Sequence, residues 1–265
     1  MRLGGIGLMI VASVAPAQTI QERGKQTLDS AWEALGGHAF AAVKDRVESG
    51  RVYSFYRAQL RGLSRATIYT RYLTPPDPPD PGGLYVRERQ SFGKEEDYAI
   101  LFDEKQGWSI TFRGAQPLPE ETVERYQDTT RRNIFYLLRM RRNEHGLIIE
   151  HKGSDIFDNM PVDIVDITDS ENITLSISVQ KSTKLPVRQM FYRRDPKTRQ
   201  RNEEVTIFGK YRDVGGGVQW PFNIQRKRNG EKIYEIFSES VVINQDLSDQ
   251  LFTLPADMKL RAPAR

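Results

Sequence analysis

The chain has 265 residues, a formal net charge of +4 and 38% hydrophobic residues, with a mean hydropathy of −0.58 and a pI near 9.2. It contains no cysteine, which excludes thiol catalysis, Cys-ligated zinc, a disulfide framework and a lipid anchor on an N-terminal Cys. Lys and Arg are interspersed with Asp and Glu, so the charge does not favour nucleic-acid binding.

Met1 to Ala17 reads as a secretory signal. Arg2 supplies the positive end, Leu3 to Val14 is a short apolar run, and Ala15-Pro16-Ala17 is a small-residue site, so cleavage is expected before Gln18. The mature protein, residues 18–265, is then expected as one soluble domain in the periplasm. Gln21 to Leu35 has helical spacing at Leu28, Ala31, Trp32 and Leu35, and Gly36-Gly37 ends it. Trp32 is expected in the core, and His38 in a loop with no partner.

Strand patterning starts near Val47, turns at Gly62 and returns from Ser64 to Leu73. Residues 74–83 carry five prolines and predict a stiff exposed loop, a lid or a long hairpin connection. Leu84 to Phe92 is a further strand, and Tyr98 to Phe102 pairs with Trp108 to Arg113. Glu120 to Arg142 has an apolar stripe, with negative charge at its start and Arg139, Arg141 and Arg142 at its end. It predicts one long helix with a solvated basic end, lying across a sheet. Leu147 to Leu185 and Arg188 to Arg194 return to strands.

Residues 203 to 254 organise the rest. Three alternating runs are separated by Gly215-Gly216-Gly217 and Asn229-Gly230 and predict an antiparallel meander. Val205, Ile207, Gly209 and Tyr211 share a face of the first run. Val218, Trp220, Phe222 and Ile224 share one of the second, and Ile233, Glu235, Phe237, Glu239, Val241 and Ile243 one of the third. The whole predicts a mainly β (α+β) fold: a single strongly curved antiparallel sheet of about 10–11 strands. It forms an incomplete barrel with helices over its concave face.

No catalytic constellation is visible. His145 and His151 lack metal-ligand spacing, and there is no nucleophile elbow, Walker loop or dinucleotide fingerprint. Carboxylates such as Asp163 and Asp166 read as solvated strand positions. No cofactor and no metal is expected, and a hydrolase is the weakest reading.

The layout resembles the periplasmic outer-membrane lipoprotein-sorting carriers, the LolA/LolB-like superfamily. The residues that carry the resemblance are Ala34-Leu35-Gly36-Gly37 before Val43-Lys44-Asp45, then Tyr211-Arg212-Asp213-Val214, Trp220-Pro221-Phe222-Asn223-Ile224, Val242-Ile243-Asn244-Gln245-Asp246-Leu247 and Leu251-Phe252-Thr253-Leu254-Pro255. The resemblance implies a non-enzymatic carrier whose partners are lipoprotein acyl chains or lipids, with inner- or outer-membrane protein partners. A sensor or regulatory module on the same fold is the alternative. An acyl chain needs a continuous apolar wall. The strand faces offer Leu175, Ile177, Phe191, Ile207, Trp220 and Phe222, and the facing helix offers Phe135 and Leu138.

Overall fold

The structure, a computed structural model, describes residues 18–77 and 82–262. The expected signal segment and part of the proline-rich stretch lie outside the described residues.

Among the described residues, thirteen strands form one antiparallel sheet in the order β6-β5-β4-β3-β2-β1-β13-β12-β11-β10-β9-β8-β7, and its two ends do not pair with each other. The strands are β1 Asp45–Tyr56, β2 Gln59–Tyr72, β3 Val86–Phe92, β4 Tyr98–Phe102, β5 Gly107–Thr111, β6 Gly114–Pro117, β7 Ile148–Phe157, β8 Met160–Thr168, β9 Thr174–Gln180, β10 Pro186–Arg194, β11 Arg201–Asp213, β12 Gln219–Arg228 and β13 Glu231–Ile243. The sheet is longer than the ten or eleven strands expected. The short β6 gives no alternation to read, and residues 148–180 hold three strands.

Helix α1 (Ile20–Ala34) starts at a capping box: Thr19 accepts from the Glu22 amide, and Glu22 reaches back to the Thr19 amide. It buries Leu28, Ala31 and Trp32 and lies close against β7. A Cβ on Gly24 would stand 2.8 Å from the His151 nitrogen, so the approach requires glycine. Gly36, at φ 116, turns the chain into the short helix α2 (Gly37–Ala41). His38 is therefore helical, and its ring meets Trp32 edge-on at 5.0 Å; the helix turn gives it the partner that a loop would not.

The β6 edge is covered by the C-terminal segment. The Ala115 amide donates to the Lys259 carbonyl and the Arg261 amide to the Ala115 carbonyl, which closes an aggregation-prone edge. The same segment packs Phe252 on Ala99, Leu101 and Ile110, on the convex side of the sheet.

Helix α3 (Glu120–Arg131) stacks Tyr126 on Phe102 at 3.8 Å. The single long helix expected over residues 120–142 is broken. After Arg131 come α4 (Ile134–Tyr136) and a π-helical turn, Leu137–Arg141. Their apolar side chains pack into the main core with α1 and strands β8 to β13.

Candidate functional site

The concave face is deeply covered over one half and less deeply over the other. The covering segment is held by polar contacts at each end. Asn133 caps α4 by accepting from the Phe135 amide at 2.9 Å. Gln189, buried on β10, accepts from the Ile134 amide at 2.9 Å and donates to the Arg132 carbonyl at 3.3 Å. The backbone groups freed by the helix break are thus satisfied by one side chain of the sheet.

The basic run that follows is not a solvated helix end. Arg139 donates to the carbonyls of Phe40, at 2.6 Å, and Val43, and lies over the Tyr72 ring. Arg141 is buried on Glu144 and the Arg131 carbonyl. Arg142 pairs with Asp29 at 3.3 Å and lies over the Trp32 ring. Arg132 is buried among Asp128, Asp169 and Glu171. The π turn brings Arg139 and Arg142 against the α1–α2 layer, where an ordinary helix end would leave them in water.

Seven of the eight side chains read from the sequence as an acyl-chain wall meet in one cluster: Phe135, Leu138, Leu175, Ile177, Phe191, Trp220 and Phe222. Phe135 is 4.8 Å from the Trp220 ring centroid and 4.9 Å from that of Phe208. Each is between 0% and 7% exposed, so they pack on one another. Ile207 stands apart, half-buried, because its neighbour Phe208 points into the cluster. Phe208 pairs with Ile224, and Ile207 with Gln225. Register decides which phase of β11 faces inward, and periodicity alone had selected the other. On β13 the phase changes along the strand. Ser49 pairs with Ser240 but Gly50 with Ser238, so Glu239 is an extra residue in the ladder. Tyr234 and Ile236 face inward before this bulge, Val241 and Ile243 after it.

Beside the cluster the concave face is less deeply covered over β12, β13 and β1 to β3, where Val52, Ala66 and Ile236 are buried beneath a half-buried outer layer. Ile68, Gln90, Phe92, Ile224 and Tyr234 are half-buried there, as is Ile100 on β4. Between the two halves lies a buried polar group. Arg46 lies 3.8 Å over the Trp220 ring and 3.7 Å from Glu48, and donates to Thr70 at 3.0 Å. Glu48 accepts from Trp220 Nε1 at 3.3 Å and from the Ser238 hydroxyl at 2.5 Å. On the next strands, Glu88 accepts from the Gln90 amide at 2.6 Å. Part of its surface touches solvent, but protein atoms crowd the carboxyl. This burial raises its pKa, and the Gln90 bond and the charges of Arg46 and Arg226 only partly oppose it. None of these residues carried a signal in the sequence. Glu48, Thr70 and Glu88 sit at ordinary polar strand positions, and only strand order joins them.

Two clefts lie elsewhere, and none of the eight wall residues lines either. One is an open groove of about 790 Å³ along the outer side of α1. The other, about 280 Å³, lies under the C-terminal segment beside Leu101, Trp108 and Phe252. Among the described residues no group of three or more His, Asp or Glu side chains is placed to hold a metal ion, and no helix is long and apolar enough to cross a membrane. Asp163 is not simply solvated: it accepts from Ser154 at 2.8 Å and lies 3.3 Å from both His151 and Lys181.

No protein-family model and no curated protein matches the chain. Solved structures do. A DUF1329 family protein from Desulfovibrio piger superposes with a TM-score of 0.60 at 12% identity, covering 89% of this chain and 98% of its own. A putative outer membrane lipoprotein-sorting protein domain from Vibrio parahaemolyticus gives 0.55 at 11% identity, covering 86% and 97%. A LolA superfamily protein from Nitrosomonas europaea gives 0.52 at 14% identity, covering 89% and 98%. With an unclosed antiparallel sheet and helical segments packed in its concavity, this chain has a LolA-like fold.

Proposed function

We propose that the protein is an exported, non-enzymatic carrier that holds acyl chains of a lipid or lipoprotein on the concave face of its sheet, in the periplasm. The observation that carries this reading is the division of that face. One half is filled by a short broken helical segment held at its ends by Gln189 and Arg139, and the other is less deeply covered. The segment also packs Ile134, Phe135, Leu137 and Leu138 into the core, and an acyl chain that displaces it would replace that apolar contact at roughly 0.8 kcal/mol per buried CH₂. The less covered half, walled by Ile68, Phe92, Ile100 and Ile224, gives the chain its entry, and the buried Arg46–Glu48 pair gives a polar group beside it.

It would hand cargo between membrane partners, and the signal segment would deliver it there. The test is extraction of lipid from protein purified without detergent, with mass spectrometry, alongside titration with a fluorescent fatty acid. Co-purified acyl species and saturable uptake are expected. Lipid-free protein that takes up no fatty acid would overturn the reading.

A further inference from the structure

We propose that the open edge and tip of the β1–β2 hairpin are a membrane anchor that docks the protein on anionic lipid bilayers. The hairpin outruns its neighbour. β3 pairs with β2 only as far as Ala66 opposite Phe92, while β1 and β2 stay paired out to Tyr56 opposite Gln59. Residues 59–64 therefore have no strand on their outer side, an open β2 edge of roughly 20 Å at about 3.3 Å per residue, while β1 stays paired with β13 as far as Ser54 opposite Tyr234.

What the edge and tip expose is apolar. Tyr56 is 56% exposed, Leu60 54% and Leu63 59%. Phe55 pairs with Leu60 and Tyr53 with Leu63, so these four share the convex face. Tyr53 meets Phe237 of β13 edge-on at 5.8 Å, which continues the strip inward. Such a strip in water costs free energy unless something covers it.

Charge selects the cover. From Arg51 to Arg65 the chain holds four arginines and no aspartate or glutamate. Arg57 and Arg61 lie over the Tyr56 ring at 5.3 and 5.8 Å, at the tip. Lys232 lies over Phe55 at 4.7 Å and Lys210 over Phe237 at 5.4 Å, along the flank. Of the acidic groups nearby, Glu239 pairs with Arg51 and Arg65 and Glu235 with Lys232, and Glu231 stands exposed at the adjacent β12–β13 turn. The hairpin on the β3 side carries Glu95, Glu96 and Asp97 beside Lys94, which bounds the basic surface on that side. Aromatic and leucine side chains ringed by cations match the boundary between acyl chains and anionic headgroups. The inference is independent of whether the concave face takes an acyl chain.

The test is co-sedimentation of the purified protein with phosphatidylglycerol–phosphatidylcholine vesicles and with phosphatidylcholine vesicles alone. Binding is expected only to the anionic vesicles, falling with added salt. Leu60→Asp with Leu63→Asp, and Arg57→Glu with Arg61→Glu, should each weaken it by about tenfold or more. These positions are exposed, so circular dichroism and melting should stay as in the wild type. Absence of wild-type binding to anionic vesicles at low salt would overturn the proposal, as would equal binding by both variants. A wild-type dimer that the leucine variant dissociates, without vesicle binding, would also overturn it and make the hairpin a self-association surface.

Discussion

The carboxylate of Asp45 accepts a hydrogen bond from the backbone amide of Gln245 at 2.7 Å, across 200 residues of chain. Its second oxygen accepts from the Leu247 amide at 3.2 Å, and the Asn244 side chain accepts from the Lys44 amide at 2.7 Å. Asp45 is buried, so these bonds fix where the chain leaves β13 and enters the C-terminal segment. Asp45→Ala is expected to cost about 1–3 kcal/mol, because it removes the charged acceptor of two part-buried backbone amides. Urea unfolding checks the loss. Faster tryptic cleavage in the C-terminal segment, before global unfolding, checks its location.

Gln189 does the corresponding work for the helix break. With both its amide atoms engaged by Ile134 and Arg132, Gln189→Leu should loosen the segment from Ile134 to Arg141 while leaving the sheet intact. The expected cost is about 1–3 kcal/mol. Hydrogen exchange should show the Ile134 and Phe135 amides losing protection first. Unchanged exchange there would mean that packing alone holds the segment.

Both relationships show where the sequence was legible. Asn229-Gly230 and the triple glycine at Gly215 announced the meander because positive φ there has a local cause, and each forms its turn. The motifs Ala34-Leu35-Gly36-Gly37 and Trp220-Pro221-Phe222 meet in space: the Gln219 amide donates to the Leu35 carbonyl. Asp45 and Gln245 come from two further quoted motifs. Less legible was whatever depends on long-range register. Phe208 displaced Ile207, the Glu239 bulge changed the phase of β13, and Glu48 and Glu88 met only through strand order. The break in the Glu120–Arg142 helix was hidden for the same reason, since the amide that stabilises it lies on β10.

Glu88 makes stability depend on pH in a defined sense. Its folded-state pKa is raised by burial, with Arg46, Arg226 and Glu48 as its charged neighbours. A raised carboxyl pKa means that the folded state binds the proton more tightly. Its stabilising contribution is full below the ordinary glutamate range and is lost as pH rises through the folded pKa. Glu88→Gln keeps the shape and removes the titration. Near pH 4 the two proteins should unfold at about the same urea concentration, and near neutral pH the variant should be the more stable. A variant less stable at neutral pH would show that the ionised carboxylate is held favourably by the two arginines.

The carrier reading turns on the difference between the two halves of the concave face. Ile177 is 1% exposed in the cluster. Ile177→Glu places a carboxylate with no partner there and should unfold the protein, at a cost of several kcal/mol. Phe222→Glu is a weaker version of the same test, because the exposed Arg212 lies 4.5 Å over the Phe222 ring and would meet the new charge. Ile68 is only half-buried on the less covered half, so Ile68→Glu should keep its far-UV circular dichroism and melt within a few degrees of the wild type. If cargo enters there, the same variant should lose fatty-acid uptake. Leu138→Ala moves the equilibrium the other way. It removes part of a fully buried side chain of the covering segment, costs about 2–5 kcal/mol, and should increase fatty-acid affinity by loosening what the acyl chain must displace. Wild-type uptake that neither Ile68→Glu nor Leu138→Ala alters would place the acyl chain somewhere other than the concave face.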